Sequence, residues 1–350
     1  MMTATDIAIA GAGIIGLSIA RELTARGMTV TVHDPEPGSG ASTVAAGMLA
    51  PVTESQFGEE PLSRLSLASA KLWPEFAAGL GITDAYRDTG TIFVGVDAAD
   101  AAELDRQLKL YRDYGLACQP LSAAEARQHI PLLSPSVSKG LLAATDHQVD
   151  TRRVHAALLE ACRAAGVNFV PRRVTDPSTV DAGLLVVAAG SWSAKLLGLP
   201  VRPVRGQVVR LRGPDELGYT VRARVRGRTV YVVPRASGEV VIGATQDDRG
   251  FDTAATAGDT NALLRDTLEV LPELAEYELA EVNVGLRPGT PDNAPLLGRT
   301  ADPRVVAATG HFRQGILLAP ITAALIGDLI ATGTVPEALK PFDPLRFDAS

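Results

Sequence analysis

Few residues in this chain have the type and setting for chemistry, and they are far apart. Arg287 stands in GLRPGT, Arg313 in GHFRQGILLAP and Tyr231 in YVVPR, each among few other charges. An arginine presents a planar two-pronged donor that fixes both the position and the tilt of a carboxylate. Buried without an acid nearby in sequence, it is costly unless a ligand anion completes it. A tyrosine adds an O–H donor to the same anion. Read from the residues alone, each has a plainer alternative. Arg287 could pair with Glu281 or Asp292, Tyr231 could face solvent from a sheet, and Arg313 could decorate the end of the apolar helix behind it. The histidines, His33, His129, His147, His155 and His311, show no ligand spacing, and Cys118 and Cys162 form no CxxC pair, so no metal is expected and the thiols carry no implied chemistry. A lone His311 beside Arg313 is more often structural than catalytic.

These residues need a cofactor or a scaffold, and the amino-terminal segment supplies a candidate. DIAIAGAGIIGLSIARELTARGMTVTVHD (6–34) reads as strand, helix, strand, with Gly11-x-Gly13-x-x-Gly16 at the first turn. The first glycine permits the tight turn, the second lets a pyrophosphate reach the backbone, and the third lets helix and strand pack closely. The helix start would offer free N–H groups to the phosphates. Asp34 ends the second strand, where an acid accepts hydrogen bonds from an unphosphorylated ribose diol, so FAD or NAD is favoured over NADP. The next segment, ASTVAAGMLAP (41–51), lacks the strand that a plain NAD fold would need there. Its Ala45, Ala46 and Gly47 would let the backbone approach a large planar ring.

The remaining elements define the frame. GTIFVGV (90–96), NFVPRRV (168–174), LLVVAAGSW (184–192) and RVVAATG (304–310) read as strands. Helices are expected at 62–81, 100–114, 122–131, 151–166 and near 258–271, and another starting at about Gly315. From 201 the strands alternate apolar and charged residues, the pattern of an antiparallel sheet with one wet face. The expected organisation is a discontinuous dinucleotide domain (1–85, 139–200, 281–350) and a second domain (86–138, 201–280).

Length and charge agree. A chain of 350 residues suggests about two domains. Its net charge of −7 argues against a nucleic-acid binder and against a cationic membrane-surface protein. There is no run of ~18 apolar residues and no positive n-region before the glycine motif, so the cytoplasm is the expected compartment.

Taken together, IAGAGIIGLSIARELTARG, VHD, AAGMLAP, VVAAGSWS, YVVPR with GATQ, VGLRPGTPD and TGHFRQGILLAPITA resemble the D-amino-acid oxidase family of FAD-dependent oxidoreductases, most closely its bacterial glycine oxidase branch of the thiazole-pathway type. The motifs run from residue 7 to residue 332. The resemblance implies an α/β (α+β) fold, with a glutathione-reductase-type Rossmann-like FAD domain and a substrate domain on a large antiparallel sheet. It implies FAD contacts at Ile14, Ile15, Asp34, Pro35, Ala41, Ser42, Ala46, Gly47, Met48, Val174 and His311, Phe312, Arg313, Gln314, Gly315, Ile316, Leu317, beside Gly11, Gly13 and Gly16. Arg287, Arg313 and Tyr231 would line an amino-acid site. No cysteine lies near the carboxy-terminal motif, so the FAD should be non-covalent. The implied reaction is oxidation of glycine, small amines or D-amino acids, with oxygen as acceptor and hydrogen peroxide as product, in a homotetramer. A dehydrogenase of the same fold using another acceptor, and a non-catalytic dinucleotide-binding protein, remain as alternatives. Two positions depart from the family pattern: Thr229 replaces a histidine two places before the tyrosine, and Gln246 replaces a methionine after GAT. The stretch from Val174 to Leu184 is also short for the family's usual strand meander.

Overall fold

A computed structural model describes residues 6–213 and 217–347. The glycine motif lies where the pattern places it, between strand Asp6–Ala10 and helix Ile14–Ala25, with strand Thr29–His33 returning parallel to the first. Across the sheet the order is Leu296–Arg299, Val305–Thr309, Leu184–Val187, Asp6–Ala10, Thr29–His33, Asn168–Val170. All neighbours are parallel except the Leu296–Arg299 edge. Helices Ile14–Ala25, Thr151–Ala164, Glu60–Ala78 and Ala319–Thr332 share one apolar core with these strands. The 168–174 strand stops at Val170, because Pro171 has no N–H to give a ladder. Between Val170 and Leu184 there is only a short 3-10 turn, Pro177–Thr179, so no meander flanks this edge.

The second sheet runs Glu278–Gly289, Arg202–Arg212, Glu239–Gly243, Arg228–Pro234, Thr220–Val225, Thr91–Gly95, Lys139–Ala143, Gln119–Ser122. It is antiparallel except where Thr220–Val225 lies parallel to Thr91–Gly95. Two expected boundaries shift as a result. Strand Lys139–Ala143 pairs with Thr91–Gly95, and strand Glu278–Gly289 pairs along almost all of Arg202–Arg212. Segments placed in the dinucleotide domain from 139 and from 281 therefore open inside the second sheet.

The expected wet face is also different in kind. Val221, Ala223, Val225, Val230 and Val232 pack under helix Ala257–Val270, and the alternate positions, Arg222, Arg224 and Tyr231, line an internal cavity. Alternation of apolar and charged residues signals two different environments, and here the polar one is a cavity rather than bulk water.

Arg205 and Gln207 hold the connection after Gly243. Arg205 is fully buried and donates to Asp247 Oδ2 at 2.8 Å, to Asp259 Oδ2 at 2.9 Å and to the Ala254 carbonyl. The Gln207 amide donates to Thr260 Oγ1 and accepts from the Thr256 amide. This fixes residues 245–256, which carry Gln246, Phe251 and Thr253 to the cavity wall. Removing one partner of a buried ion pair leaves the others uncompensated, at a cost of about 3–5 kcal/mol. Arg205→Ala is expected to lower unfolding stability by that amount in urea titration, and a loss below about 1 kcal/mol would show that the acids re-solvate freely.

Candidate active site

One cavity of about 940 Å³ runs from the glycine motif to the second sheet. That is the upper end of the range for small-molecule and cofactor sites.

At the amino-terminal end the backbone turns tightly. A Cβ on Gly16 would stand 1.9 Å from the Gly11 carbonyl oxygen, so only glycine permits this helix–strand contact. Gly16 therefore packs and does not reach the cavity wall. The expected free amides are fewer than anticipated. The Ala12 amide donates to Asp34 Oδ2 at 2.7 Å and the Ile14 amide to Ser42 Oγ at 2.9 Å. Among the described residues, the amides of Gly13 and Ile15 keep no such partner, and both residues line the cavity. His155 Nε2 donates to the Ala12 carbonyl at 2.8 Å, bracing the turn from helix Thr151–Ala164, whose start is capped by Asp150. No spacing in the sequence announced this histidine, which meets the turn from 143 residues away.

Past the turn, Asp34, Pro35, Ala41, Ser42, Ala46, Gly47, Met48 and Val174 all line the wall, as do Ile14 and Ile15. The glycine cradle, the acid and this extended apolar wall fit an elongated dinucleotide.

The far end holds Arg287 and Tyr231. Neither acid offered as a partner for Arg287 takes it: Glu281 pairs with Arg152 at 2.7 Å and Asp292 with Arg346 at 2.8 Å. Arg287 donates instead to the Thr245 carbonyl at 3.1 Å and makes no ion pair among the described residues. Its guanidinium lies flat on the neighbouring strand, because a Cβ on Gly206 would stand 2.1 Å from Arg287 Nη1. Tyr231 is placed the same way, over Gly243, where a Cβ would stand 2.3 Å from the hydroxyl oxygen. The two side chains lie within hydrogen-bonding reach of each other. Burial holds the Tyr231 phenol above its usual range, against the opposing pull of Arg287, so it stays a neutral donor.

Arg313 reaches the cavity but is not free there. It lies 3.4 Å from Glu54 Oε2 and 3.5 Å from Glu59 Oε2, with its guanidinium 4.9 Å from the Phe312 ring centre. Glu54 also pairs with Arg222 at 2.7 Å. This acid was not legible in the sequence; loop 51–59 brings it in, tied by Asp146, which accepts from the Val52 and Thr53 amides at 2.9 and 3.0 Å.

The carboxy-terminal motif differs from expectation in its helix start. A 3-10 turn, Phe312–Gln314, comes first, and the α-helix opens only at Ala319. Pro320 suits the first turn of that helix, where a missing N–H costs nothing. Among the described residues, the amides of Gly315, Ile316 and Leu317 meet no acceptor. His311, Phe312, Arg313, Gly315 and Ile316 line the cavity, whereas Gln314 and Leu317 do not. The Leu317 carbonyl instead accepts from Ser69 Oγ and Trp73 Nε1. Phe312 has φ of +48°, strained for a bulky residue and held by the packed turn.

The chain matches the family model described as "DAO: FAD dependent oxidoreductase" over residues 6–329. It belongs to the DAO family of FAD-dependent oxidoreductases. It is 33% identical over 368 residues to the glycine oxidase of Geobacillus kaustophilus, covering 97% of each chain. It is 34% identical over 363 residues to the bifunctional protein ThiO/ThiG of Trichormus variabilis, covering 98% of this chain and 55% of that protein. The chain thus spans about half the length of the bifunctional relatives it matches. The crystal structure of glycine oxidase from Geobacillus kaustophilus superposes with a TM-score of 0.91 at 32% identity, covering 98% of this chain and 99% of that one. Proteins of this family bind FAD, and the cradle described above fits it. No helix among the described residues is long and apolar enough to cross a membrane.

His311 gives a pH test of the site's burial. It is sealed in the protein with Nε2 against Thr322 Oγ1, and burial pushes its pKa down from 6.5 to about 3. Below about 6.5 the unfolded chain binds a proton that the folded chain refuses, so this group removes stability as pH falls from 6.5 toward 3 and removes none above. The limiting slope is about 1.4 kcal/mol per pH unit. Between pH 7.5 and pH 5, His311→Gln is expected to lose less unfolding free energy than the parent protein. Parallel losses would show that the imidazole is not held neutral.

Proposed function

We propose that this protein oxidatively deaminates glycine and other small amines or D-amino acids, with oxygen as the electron acceptor and hydrogen peroxide as product. The observation that carries the reading is Arg287: a guanidinium flat on a glycine strand, without an acid, at one end of an FAD-sized cavity. Its free N–H groups would take both oxygens of a substrate carboxylate, and the neutral Tyr231 hydroxyl would donate to one of them. Holding a substrate at its carboxylate orients Cα, and such fixation contributes up to about 7–11 kcal/mol in favourable systems. FAD, when bound, supplies the acceptor for the substrate's α-hydrogen and its electron pair. The chain need not provide a base if the amine enters neutral. Glu54 is already engaged by Arg222 and Arg313. Gly315 and Ile316 would direct backbone N–H groups to the negative end of the reduced ring. The resemblance to the thiazole-pathway branch extends the reading to an imine product passed to thiazole assembly.

The decisive experiment is the purified yellow protein in air with glycine, sarcosine and D-alanine, following flavin bleaching and peroxide. At least one should bleach the flavin and yield peroxide. Bleaching without peroxide would move the electrons to another acceptor, and no bleaching with any of them would end the reading.

The arginines can be told apart. Gly206→Ala should displace the Arg287 guanidinium and raise KM about 10- to 100-fold, as for a lost charge-assisted hydrogen bond of about 1.5–3 kcal/mol. FAD content should be unchanged. Arg313→Ala should raise KM less, because its charge is already spent on Glu54 and Glu59. The reverse order would make Arg313 the carboxylate ligand.

A further inference from the structure

The neighbourhood of loop 41–48 contains a buried guanidinium that the reaction described above does not use. Arg235, at the end of strand Arg228–Pro234, is only 5% exposed. It donates to the Ala46 carbonyl and, at 3.2 Å, to Gln148 Oε1. It makes no ion pair among the described residues, and its Nε and the Gln148 Nε2 are buried without a hydrogen-bond partner. The negative charges that act on it, on Asp150 and Glu239, each make other contacts. Asp150 caps helix Thr151–Ala164 through the Arg152 and Arg153 amides, and Glu239 pairs with Arg210 at 2.6 Å. Arg87 and Arg210 add like charge nearby, and burial draws the Arg235 pKa down to about 10. Three guanidiniums, Arg87, Arg210 and Arg235, thus face two carboxylates, and the cluster keeps an excess of positive charge inside the protein, which is costly.

The Ala46–Gly47 peptide connects this charge to the cavity. In a trans peptide the C=O and N–H point in opposite directions. The Ala46 carbonyl faces Arg235, so the Gly47 N–H faces the other way, and among the described residues it meets no acceptor. Ala46, Gly47 and Met48 line the cavity, and Ala46 and Met48 pack in one apolar cluster with Tyr231. This stretch lies beside the Tyr231 end and away from the phosphate-facing turn, where the redox-active ring of FAD must lie if Arg287 is to present a substrate to it.

We propose that Arg235 is a positioning residue for the flavin: it holds and polarises the Ala46–Gly47 peptide so that the Gly47 N–H faces the ring, and its unpaired charge favours the electron-rich form of the cofactor. The inference rests on FAD binding and not on the choice of substrate or acceptor.

Sulfite tests it without any amine. Its sulfur lone pair bonds to N5 of oxidised flavin and the negative charge passes to the ring, with no other reactant, so its Kd reports positive charge near the ring. Arg235→Met keeps the length and removes the charge, and should raise the sulfite Kd at least about tenfold, as expected for a unit charge at an effective dielectric constant of about 20. The flavin midpoint potential should fall in step. Arg235→Lys, which keeps the charge, should restore most of the sulfite affinity. Glu239→Gln removes a neighbouring negative charge and should lower the Kd below that of the parent. A purely structural Arg235 predicts instead a lower FAD content with an unchanged sulfite Kd in the fraction that retains FAD, and that result overturns the proposal. Should Arg235→Met fail to fold, Glu239→Gln decides alone: an unchanged or raised Kd there rejects it. None of these outcomes depends on amine oxidation, so they separate this inference from the oxidase reading.

Discussion

A buried guanidinium must be given acceptors, and much of this architecture follows from how the arginines of the second sheet are given theirs. Arg210 and Arg235 donate to the Thr43 and Ala46 carbonyls, Arg222 to the Thr53 carbonyl and Glu54, and Arg205 and Arg287 to carbonyls of the 245–256 connection. The loops between the two sheets are thus fastened by charge-assisted bonds to their backbones, with little regular structure of their own. A backbone carbonyl accepts such a bond whatever its side chain is, so segment 41–47 can stay small, whereas loops 51–59 and 245–256 carry Glu54, Gln56, Gln246 and Phe251 to the cavity wall. The same bonds that stiffen the loops leave their opposite peptide edges turned to the cavity.

This arrangement separates Arg287 from its neighbours. Among the described residues, the other cavity arginines of the second sheet and the carboxy-terminal turn have acids, Arg222 and Arg313 sharing Glu54 and Arg224 reaching Glu103 at 3.4 Å, while Arg173, outside these elements, lies over the Trp192 ring at 5.3 Å. Arg287 has one carbonyl and a glycine beneath it. Gly206 and Gly243 create two shallow seats on adjoining strands of one sheet, and the arginine and the tyrosine occupy them side by side. The pair is preorganised by the absence of two Cβ atoms, a cheaper device than a network of supporting hydrogen bonds, and one that leaves the donors free.

How much of this was legible in the sequence depended on distance along the chain. The strand–Gly11-x-Gly13-x-x-Gly16–helix unit and Asp34 were legible because the whole device lies within 34 residues and each glycine answers a local steric demand. The alternation in 220–234 was legible as a pattern, but its polar side was assigned to water, since periodicity reports a change of environment and not which environment it is. Glu54, His155, Arg205 and Arg235 left no local signal. Their partners lie across the fold, and a charged residue in a loop or at a strand end usually means a solvated surface. The helix after Gly315 was placed early for a related reason: an apolar run marks a buried segment, yet it does not tell a 3-10 turn from the α-helix that follows.

That late helix start matters to the chemistry. A helix beginning at Gly315 would bring its first amides to the cavity as a dipole end. The turn actually formed spaces Phe312–Gln314 and Ala319–Thr332 apart, and the unpaired amides of residues 315–317 lie in the gap between two helical segments. Such amides are directed by the turn and not by a helix axis, so they can converge on one oxygen instead of running parallel. The strain at Phe312 and the anchoring of the Leu317 carbonyl by Ser69 and Trp73 hold the two ends of this gap. Helix Glu60–Ala78, far from this motif in sequence, thereby fixes the turn that carries these amides.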